Sequence, residues 1–151
     1  VERVDVVSAA QMADAVLARA RSSDVFVAVA AVADYRPVEV HEQKVKKKNA
    51  PMTIALEPTV DILATVAARP KAPFCVGFAA ESQDVARLGE EKRRRKKLAM
   101  LVANRAQDAM GADDNEVTIL DAKGAHPLPR MDKLALARRL VAEIAARMKA
   151  R

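Results

Sequence analysis

A single carboxylate, Asp34, ends a run of valine and alanine residues that starts at Val25. The run is rich in β-branched residues and too short to cross a membrane, so it predicts a buried strand over residues 25–31. Open α/β sheets bind their ligands beyond the carboxyl ends of the strands, where Asp34 would lie. The position of Asp34 therefore predicts a ligand site, although an aspartate after a strand is more often a cap or turn residue.

A lysine cluster begins ten residues after Asp34 and consists of Lys44, Lys46, Lys47 and Lys48. It offers several ammonium groups to an anion. A carboxylate followed by such a loop suits a metal-bound polyphosphate, because the carboxylate can hold the cation and the lysines can contact phosphate oxygens. The alternative interpretation is a solvated basic loop that binds nothing.

Two further lysines, Lys92 and Lys96, are four residues apart in a segment that predicts a helix over residues 84–97. Side chains at this spacing leave the same face of a helix, and two like charges there weaken an isolated helix by about 0.2–0.5 kcal/mol. An anion bound between them would reverse that effect. The alternative is that the cations gather at the carboxyl end of the helix because they interact favourably with its dipole.

Asp61 and Phe78 are candidate ligand contacts at the ends of two other predicted elements. Asp61 precedes a predicted helix over residues 62–69, where unpaired N–H groups and the helix dipole attract negative charge. That charge is either the Asp61 side chain, acting as a cap, or a phosphate of a ligand. Phe78 lies near the end of a predicted buried strand over residues 74–80, where it could cover a base or pack in the core. Gly77 in that strand predicts a close approach of another group to the backbone.

These candidates are separated by an alternation of predicted strands and helices. Ser8 is a suitable N-cap for the first helix, and Asp132 for the last. The predicted strands cover residues 3–7, 25–31, 52–56, 74–80, 98–103, 116–120 and 125–128, and the predicted helices cover residues 9–21, 62–69, 84–97 and 133–148. The alternation predicts an α/β, Rossmann-like three-layer domain with a mainly parallel sheet and a late β-hairpin.

The composition is that of one domain, since 151 residues, 51% of them hydrophobic, suffice for one core and not for two. The net charge of +6 favours an anionic ligand or partner. A single cysteine, Cys75, excludes an internal disulfide and suits a reducing cytoplasm. The sequence shows no signal peptide or apolar stretch of membrane length, which predicts a soluble cytoplasmic protein without membrane contact.

Five segments, taken together, resemble the synthetase part of the bacterial bifunctional phosphopantothenoylcysteine synthetase/decarboxylase, the DNA/pantothenate metabolism flavoprotein family. The order and spacing of the segments carry this resemblance, which covers essentially the whole chain and is least distinctive in the last third. It implies a single CTP-binding synthetase domain over residues 1–151. The segments are AAVADYRP at residues 30–37, KVKKK at 44–48, VDIL at 60–63, GFAAES at 77–82 and KRRRKKLAMLVANR at 92–105.

The resemblance implies a CTP-dependent ligase of coenzyme A biosynthesis. In that family the carboxylate of 4′-phosphopantothenate attacks CTP, forming an acyl-cytidylate and releasing pyrophosphate. The amine of L-cysteine then displaces CMP to give 4′-phosphopantothenoylcysteine. Bringing these negative groups together requires Mg2+ and lysines, and a mobile flap around Lys44 would keep water away from the acyl-cytidylate.

The resemblance also implies roles for individual residues. Asp34 would hold Mg2+ and the nucleotide, and Lys44 would contact CTP and take part in converting the acyl-cytidylate to product. Phe78 would lie against cytidine. The remaining implied contacts are those of Val60, Asp61, Ile62 and Leu63 with the nucleotide, of Lys92 and Lys96 with its phosphates, and of Ala30 and Ala31 with the substrate.

The sequence departs from the family in two respects. The family usually has Asn-Pro-Asp-Ile where residues 59–62 are Thr-Val-Asp-Ile, so the geometry of that turn is expected to differ. No segment corresponds to the family's opening strand and Gly-rich turn, or to the decarboxylase domain that binds FMN. The resemblance therefore implies a homodimerising chain that binds CTP but lacks full activity, with FMN bound only in the absent domain.

Two functions of other classes fit the same residues. A nucleic-acid-binding module could use the basic segments 44–48 and 92–97. An aromatic content of 3% and the lack of a recognisable helix-turn-helix or zinc motif argue against it, so no nucleic-acid partner is expected. An inactive fragment that only dimerises would show no saturable binding of CTP.

Overall fold

The structure is a computed structural model that describes residues 1–41, 43–47, 49–109 and 111–150. Within these residues the chain forms five α-helices and seven β-strands, and a turn of 3-10 helix over Ala20–Ser22 extends the first helix. The helices are α1 (Ala9–Arg19), α2 (Ile62–Ala67), α3 (Val85–Arg95), α4 (Ala106–Ala109) and α5 (Lys133–Lys149). The strands are β1 (Val25–Ala28), β2 (Tyr35–Pro37), β3 (Leu56–Pro58), β4 (Phe74–Glu81), β5 (Met100–Arg105), β6 (Asp114–Asp121) and β7 (Gly124–Asp132).

Side-chain caps begin the first and last helices, as predicted. Ser8 Oγ accepts a hydrogen bond from the backbone N–H of Gln11, and the Gln11 side chain accepts one from the Ser8 N–H. This reciprocal arrangement satisfies two N–H groups that have no partner within the helix. Asp132 caps α5 in a similar way by accepting from the N–H of Ala135 at 2.9 Å.

Five strands form the central sheet in the order β1-β4-β5-β6-β7. The strands β1, β4 and β5 pair in parallel, β6 pairs antiparallel with β5, and β7 pairs antiparallel with β6. Four of the five strands therefore run in one direction, with β6 opposed. This confirms the predicted mainly parallel sheet and its late hairpin.

Helices cover both faces of the sheet because successive strand side chains point to opposite sides. On one face Cys75, Leu101 and Ala103 belong to a buried cluster with α1 and α2, and α3 packs on the same side. On the other face Val76, Met100 and Val102 pack against α5, which contributes its own buried stripe. The predicted three layers are confirmed, and the α5 stripe consists of Leu136, Leu140 and Ile144.

A second, antiparallel sheet of two strands, β2 and β3, lies outside the central sheet. One further backbone hydrogen bond, from the N–H of Val38 to the carbonyl of Ala55 at 3.0 Å, extends this pairing. Residues 35–58 therefore leave the central sheet and return to it through one short two-stranded stem. We call these residues the arm. The arm carries the lysine cluster, of which Lys48 lies outside the described residues.

Several predicted strand bounds were wrong: β5 runs over Met100–Arg105 rather than residues 98–103, and β6 and β7 extend beyond the predicted residues 116–120 and 125–128. The strand predicted over residues 52–56 is β3 at Leu56–Pro58, because pairing with β2 sets its position rather than its apolar content. The strand predicted over residues 25–31 ends at Ala28, where its pairing with β4 ends. Residues 3–7 form no strand, because no neighbouring strand in the described chain pairs with them; Val4 and Val6 instead line an open groove together with residues of α1.

A buried carboxylate, Asp121, joins the β6–β7 turn to α5. Its side chain accepts hydrogen bonds from the Lys123 N–H at 2.7 Å and from Arg147 Nε at 2.8 Å, and His126 Nε2 lies 3.1 Å away. Burial acts to raise the pKa of Asp121, but the hydrogen bonds from His126 and Arg147 dominate and lower the pKa to about 2. The ionised form of Asp121 therefore stabilises the fold.

We expect Asp121→Asn to lower the free energy of unfolding at pH 7 by about 2–3 kcal/mol, because the lowered pKa is linked to stability. The pKa of Asp121 in the folded chain lies below its value in the unfolded chain, about 3.9. Its contribution is therefore complete above about pH 5 and is lost as the pH falls toward 2. Urea unfolding of both proteins between pH 7 and pH 3 should show their stabilities converging.

The matched control for this prediction is Asp114→Asn, which removes a carboxylate from the same strand. Asp114 pairs with Arg130 at 2.8 Å, and both side chains are nearly half exposed. An exposed pair of this kind contributes about 0–1 kcal/mol. Equal losses in the two variants would contradict the role assigned to Asp121.

Candidate functional site

A pocket of about 400 Å³ opens at the carboxyl ends of β1 and β4. Its walls are α1, β1 with the segment that follows it, the turn before α2 and the first residues of that helix, Phe78 of β4 and the C-cap residue of α3. This is the edge at which open parallel sheets bind ligands. We call it the strand-end pocket, and the residues that give it chemical character are Ala30, Asp34, Thr59, Asp61, Phe78 and Lys96.

Thr59 ties together the two loops that form the pocket rim. Its backbone N–H donates to the Asp34 carbonyl at 2.9 Å, and its hydroxyl donates to the Ala33 carbonyl at 2.5 Å. The turn before α2 and the exit from β1 are therefore held side by side. Sequence reasoning did not single out Thr59 as a contact, because its partners are 25 and 26 residues away.

The Asp34 carboxylate is exposed at the pocket rim. In the described part of the chain its oxygens take part in no hydrogen bond or ion pair, whereas its backbone carbonyl is bonded to Thr59. An ionised carboxylate without a protein partner keeps its lone pairs available for a cation or a donor on a ligand. The geometry thus leaves Asp34 open to ligation from the pocket.

Asp61 is both the N-cap of α2 and the partner of a lysine. One carboxylate oxygen accepts from the Ala64 N–H at 3.0 Å, and the other lies 2.8 Å from Lys96 Nζ. Burial acts to raise the pKa of Asp61, but the hydrogen bonds from Lys96 and the Ala64 N–H dominate and lower it. The capping interpretation of Asp61 is confirmed, and its second oxygen brings Lys96 to the pocket.

Lys92 is also held by a carboxylate, one helical turn before Lys96. Its ammonium group donates to Glu81 Oε1 at 2.8 Å, and Glu81 is the last residue of β4. The two lysines thus leave one face of α3 and meet carboxylates from two different elements. Sequence reasoning did not assign Glu81 a role, since no local spacing relates a strand end to a residue eleven positions later.

Phe78 lies where the core and the pocket meet. Its ring packs partly against the cluster that α5 covers, and it also lines the strand-end pocket. Gly77, the preceding residue, allows close packing from the opposite face. A Cβ atom there would lie 2.8 Å from Leu63 Cδ2 of α2 and 2.9 Å from Leu98 Cδ1. The predicted close approach at Gly77 is therefore made by core side chains.

Most, but not all, of the predicted site residues line the strand-end pocket. Ala31, Lys44 and Lys92 are not part of its lining. Lys44 is exposed on the arm, whose stem begins beside the pocket. The predicted residues that the pocket does bring together are Ala30, Asp34, Val60, Asp61, Ile62, Leu63, Phe78 and Lys96.

Asp34 belongs to no cluster of candidate metal ligands in the described chain. No group of three or more His, Cys, Asp or Glu side chains among the described residues is arranged to hold a metal ion. Any cation at Asp34 would therefore take most of its ligands from a bound molecule and from water.

None of the helices in the described ranges is long and apolar enough to cross a membrane.

Known proteins resemble this chain over nearly its whole length. The family model of the DNA/pantothenate metabolism flavoprotein C-terminal domain matches residues 1–148. The coenzyme A biosynthesis bifunctional protein CoaBC of Vibrio cholerae is 46% identical over 143 residues, which cover 91% of this chain and 36% of the relative. That of Bacillus subtilis is 42% identical over 149 residues, covering 96% of this chain and 37% of the relative. The chain thus spans little more than a third of the length of these relatives.

Solved structures with the same architecture include two of particular interest. The crystal structure of the C-terminal domain of coenzyme A biosynthesis bifunctional protein CoaBC gives a TM-score of 0.79 at 34% identity, over 98% of this chain and 66% of that chain. A Cab2 mutant in complex with phosphopantothenate-cysteine gives 0.80 at 15% identity, over 97% of this chain and 52% of that chain. The second likeness shows a shared fold alone.

We expect Asp61→Ala to destabilise the chain by about 1–2 kcal/mol, because the N-cap of α2 is lost together with the lysine pair. Asp61→Asn should cost less than about 1 kcal/mol, since asparagine caps helices as well as aspartate does and the Asp61 carboxylate is half exposed. Urea unfolding at pH 7 measures both values. Equal losses in the two variants would show that the ion pair, and not the cap, carries the stability.

Proposed function

The chain belongs to the DNA/pantothenate metabolism flavoprotein family, and we propose that it supplies the nucleotide-binding part of a phosphopantothenate–cysteine ligase of coenzyme A biosynthesis. The reaction would join 4′-phosphopantothenate and L-cysteine at the expense of CTP. A carboxylate oxygen of phosphopantothenate attacks the α-phosphorus of CTP, and the bond to the β-phosphate breaks to release pyrophosphate. The cysteine amine then attacks the acyl carbon, loses a proton and displaces CMP.

The observation that carries this proposal is the composition of the strand-end pocket. A carboxylate without a partner among the described residues, a half-buried aromatic ring and a lysine at the C-cap of α3 line one cavity of about 400 Å³. These are the groups needed for a cation, a base and a phosphate respectively. CTP is the nucleotide that the resemblance of the sequence implies, and these groups would suit it.

Phe78 is the proposed contact for the cytosine ring. Its position supports this role, because the ring is fixed by the core on one side and open to the pocket on the other. Stacking on an aromatic ring stabilises a base by about 1–3 kcal/mol. Backbone groups of the turn formed by Val60, Asp61, Ile62 and Leu63 would complete the contacts with the nucleoside.

Lys96 and Lys92 are the proposed phosphate contacts. Each ammonium group has three N–H donors, and its carboxylate partner uses one of them. Two donors on each lysine therefore remain for phosphate oxygens. Lys96 lines the pocket directly, and Lys92 leaves the same helix face one turn earlier, which suits successive phosphates of a chain.

Asp34 is the proposed protein ligand of the Mg2+ ion that this chemistry implies. Its carboxylate has no partner in the described chain, and oxygen ligands suit this hard cation. A single carboxylate is enough, because Mg2+ in nucleotide sites is usually completed by phosphate oxygens and water. When bound, the ion would offset the charge of the phosphates that the attacking carboxylate must approach.

The arm is the proposed lid of the site, and Lys44 its catalytic residue. The arm leaves the pocket rim after Asp34 and returns before Thr59, so a bend at its stem would carry Lys44 toward the pocket. A lysine arriving there would contact CTP, stabilise the transferring groups and exclude water from the acyl-cytidylate. Ala30 and Ala31 are the proposed substrate contacts, because their small side chains let phosphopantothenate lie close to the backbone.

Self-association is a further part of the proposal. Seven large apolar side chains of the arm are between 51% and 80% exposed, and we propose that a second copy of the chain covers them. They are Tyr35, Val38, Val40, Val45, Met52, Ile54 and Leu56.

The complete reaction is proposed to need residues beyond this chain, and FMN would serve a decarboxylase part outside it. A cytoplasmic location is proposed from the metabolic role.

Calorimetric titration of CTP into the chain tests the proposed site. We expect saturable binding in the presence of Mg2+ and a loss of at least about tenfold in affinity for Asp34→Asn, because a charged metal ligand is removed. The same substitution should change the affinity little when EDTA removes the metal. A loss that persists in EDTA would contradict the assignment of Asp34 to the cation.

The matched control is Asp14→Asn, which removes an exposed carboxylate from α1 that does not itself line the pocket, although Met12 and Val16 of the same helix do. It should leave the affinity for CTP unchanged with and without Mg2+. Equal behaviour of Asp14→Asn and Asp34→Asn, or the absence of saturable binding in the unmodified chain, would refute the proposed function.

A further inference from the structure

We propose that Glu81 is a positioning residue that holds the Lys92 ammonium group in place for the phosphates of the nucleotide. This inference rests on the proposed function and extends it to a residue outside the pocket lining. The carboxylate of Glu81 accepts from Lys92 Nζ at 2.8 Å. Its side chain is 15% exposed, while that of Lys92 is 33% exposed.

The backbone of Glu81 is a fixed point, because it belongs to the central sheet. Glu81 pairs with Arg105 at the end of the parallel ladder between β4 and β5. Lys92, in contrast, ends in a flexible stem with several rotatable bonds. A rigid acceptor at a strand end therefore restricts the mobile partner, and functional groups held in this way meet their ligands with less loss of side-chain freedom.

The Glu81 carboxylate has no other hydrogen-bonding partner in the described chain. Asp61, which holds Lys96, also caps α2, so its presence has a second explanation. Glu81 has none, and taking a carboxylate out of water is unfavourable unless it is paired. Its contact with Lys92 is thus the interaction that accounts for a carboxylate at this partly buried position.

The pair leaves Lys92 able to bind a second group. Glu81 occupies one of the three N–H donors of the ammonium group, and two remain. Because Glu81 and Lys92 together are close to neutral, the pair also reduces repulsion between Lys92 and Lys96 on the same helix face. That second effect is structural and would appear in stability, whereas positioning would appear in the affinity for the nucleotide.

Calorimetric titration of CTP with Mg2+ into the 151-residue chain separates these effects. Glu81→Ala should lower the affinity about threefold to tenfold, because Lys92 must then be ordered during binding. Glu81→Gln should retain it, since the amide oxygen still accepts from Lys92 at the same distance. Glu81→Asp keeps the charge but withdraws the acceptor by one methylene, and it should behave like Glu81→Ala.

Glu91→Ala is the matched control, since Glu91 forms an exposed pair with Arg87 on the same helix. It should leave the affinity unchanged. A double-mutant cycle gives the second readout: adding Glu81→Ala to Lys92→Ala should cause no further loss, because Glu81 acts through Lys92. The melting temperature of each variant, measured alongside, reports the structural effect by itself.

Several outcomes would overturn the role of Glu81 alone. One is an affinity of Glu81→Ala for CTP that equals or exceeds that of the unmodified chain. The others are a loss of affinity in Glu81→Gln as large as in Glu81→Asp, and additive losses of affinity in the double-mutant cycle. If Glu81→Ala does not fold, the comparison of Glu81→Gln with Glu81→Asp decides. Failure of the unmodified chain to bind CTP would instead overturn the proposed function, and this inference with it.

Discussion

Parallel pairing of β1, β4 and β5 is the constraint on which the rest of the structure depends. It brings the carboxyl ends of three strands to one edge of the sheet, so that residues far apart in the sequence share a cavity. The register places Ala28 beside Gly77, and the residues that follow each of them form two walls of the pocket. The hydrogen bonds of Thr59 then join the turn before α2 to this edge.

Charge balance at this edge follows from where each element ends. Asp61 starts α2, Glu81 ends β4, and both meet lysines from one face of α3. Asp34 differs because it has no partner in the described chain. Pairs of opposite charge hold the two lysines that are proposed to bind phosphate, while the carboxylate of Asp34 stays available for a cation. This arrangement explains how a basic helix can lie beside a pocket lined by two carboxylates, Asp34 and Asp61.

Local patterns in the sequence were enough to predict the layers, the mainly parallel sheet and both helix caps. They were not enough where a long-range partner decides the outcome. Residues 3–7 alternate polar and apolar side chains like a strand, but no strand in the described chain pairs with them. Strand β3 starts at Leu56 because its pairing with β2 starts there. The contacts of Thr59 and Glu81 escaped prediction for the same reason. The family resemblance, rather than spacing, connected Asp34, Phe78 and Lys96 before the structure placed them around one pocket.

Amide chemical shifts measured by NMR on the 15N-labelled chain, with Mg2+ present and CTP added stepwise, test the central claim most directly. If the strand-end pocket binds the nucleotide, the largest changes will cluster at residues 29–34, 59–63 and 78–81 and in the last two turns of α3. Changes that instead cluster around Arg87, Glu116 and Thr118, which line a different pocket beside the start of α3, would contradict the account. So would changes confined to the lysines of the arm.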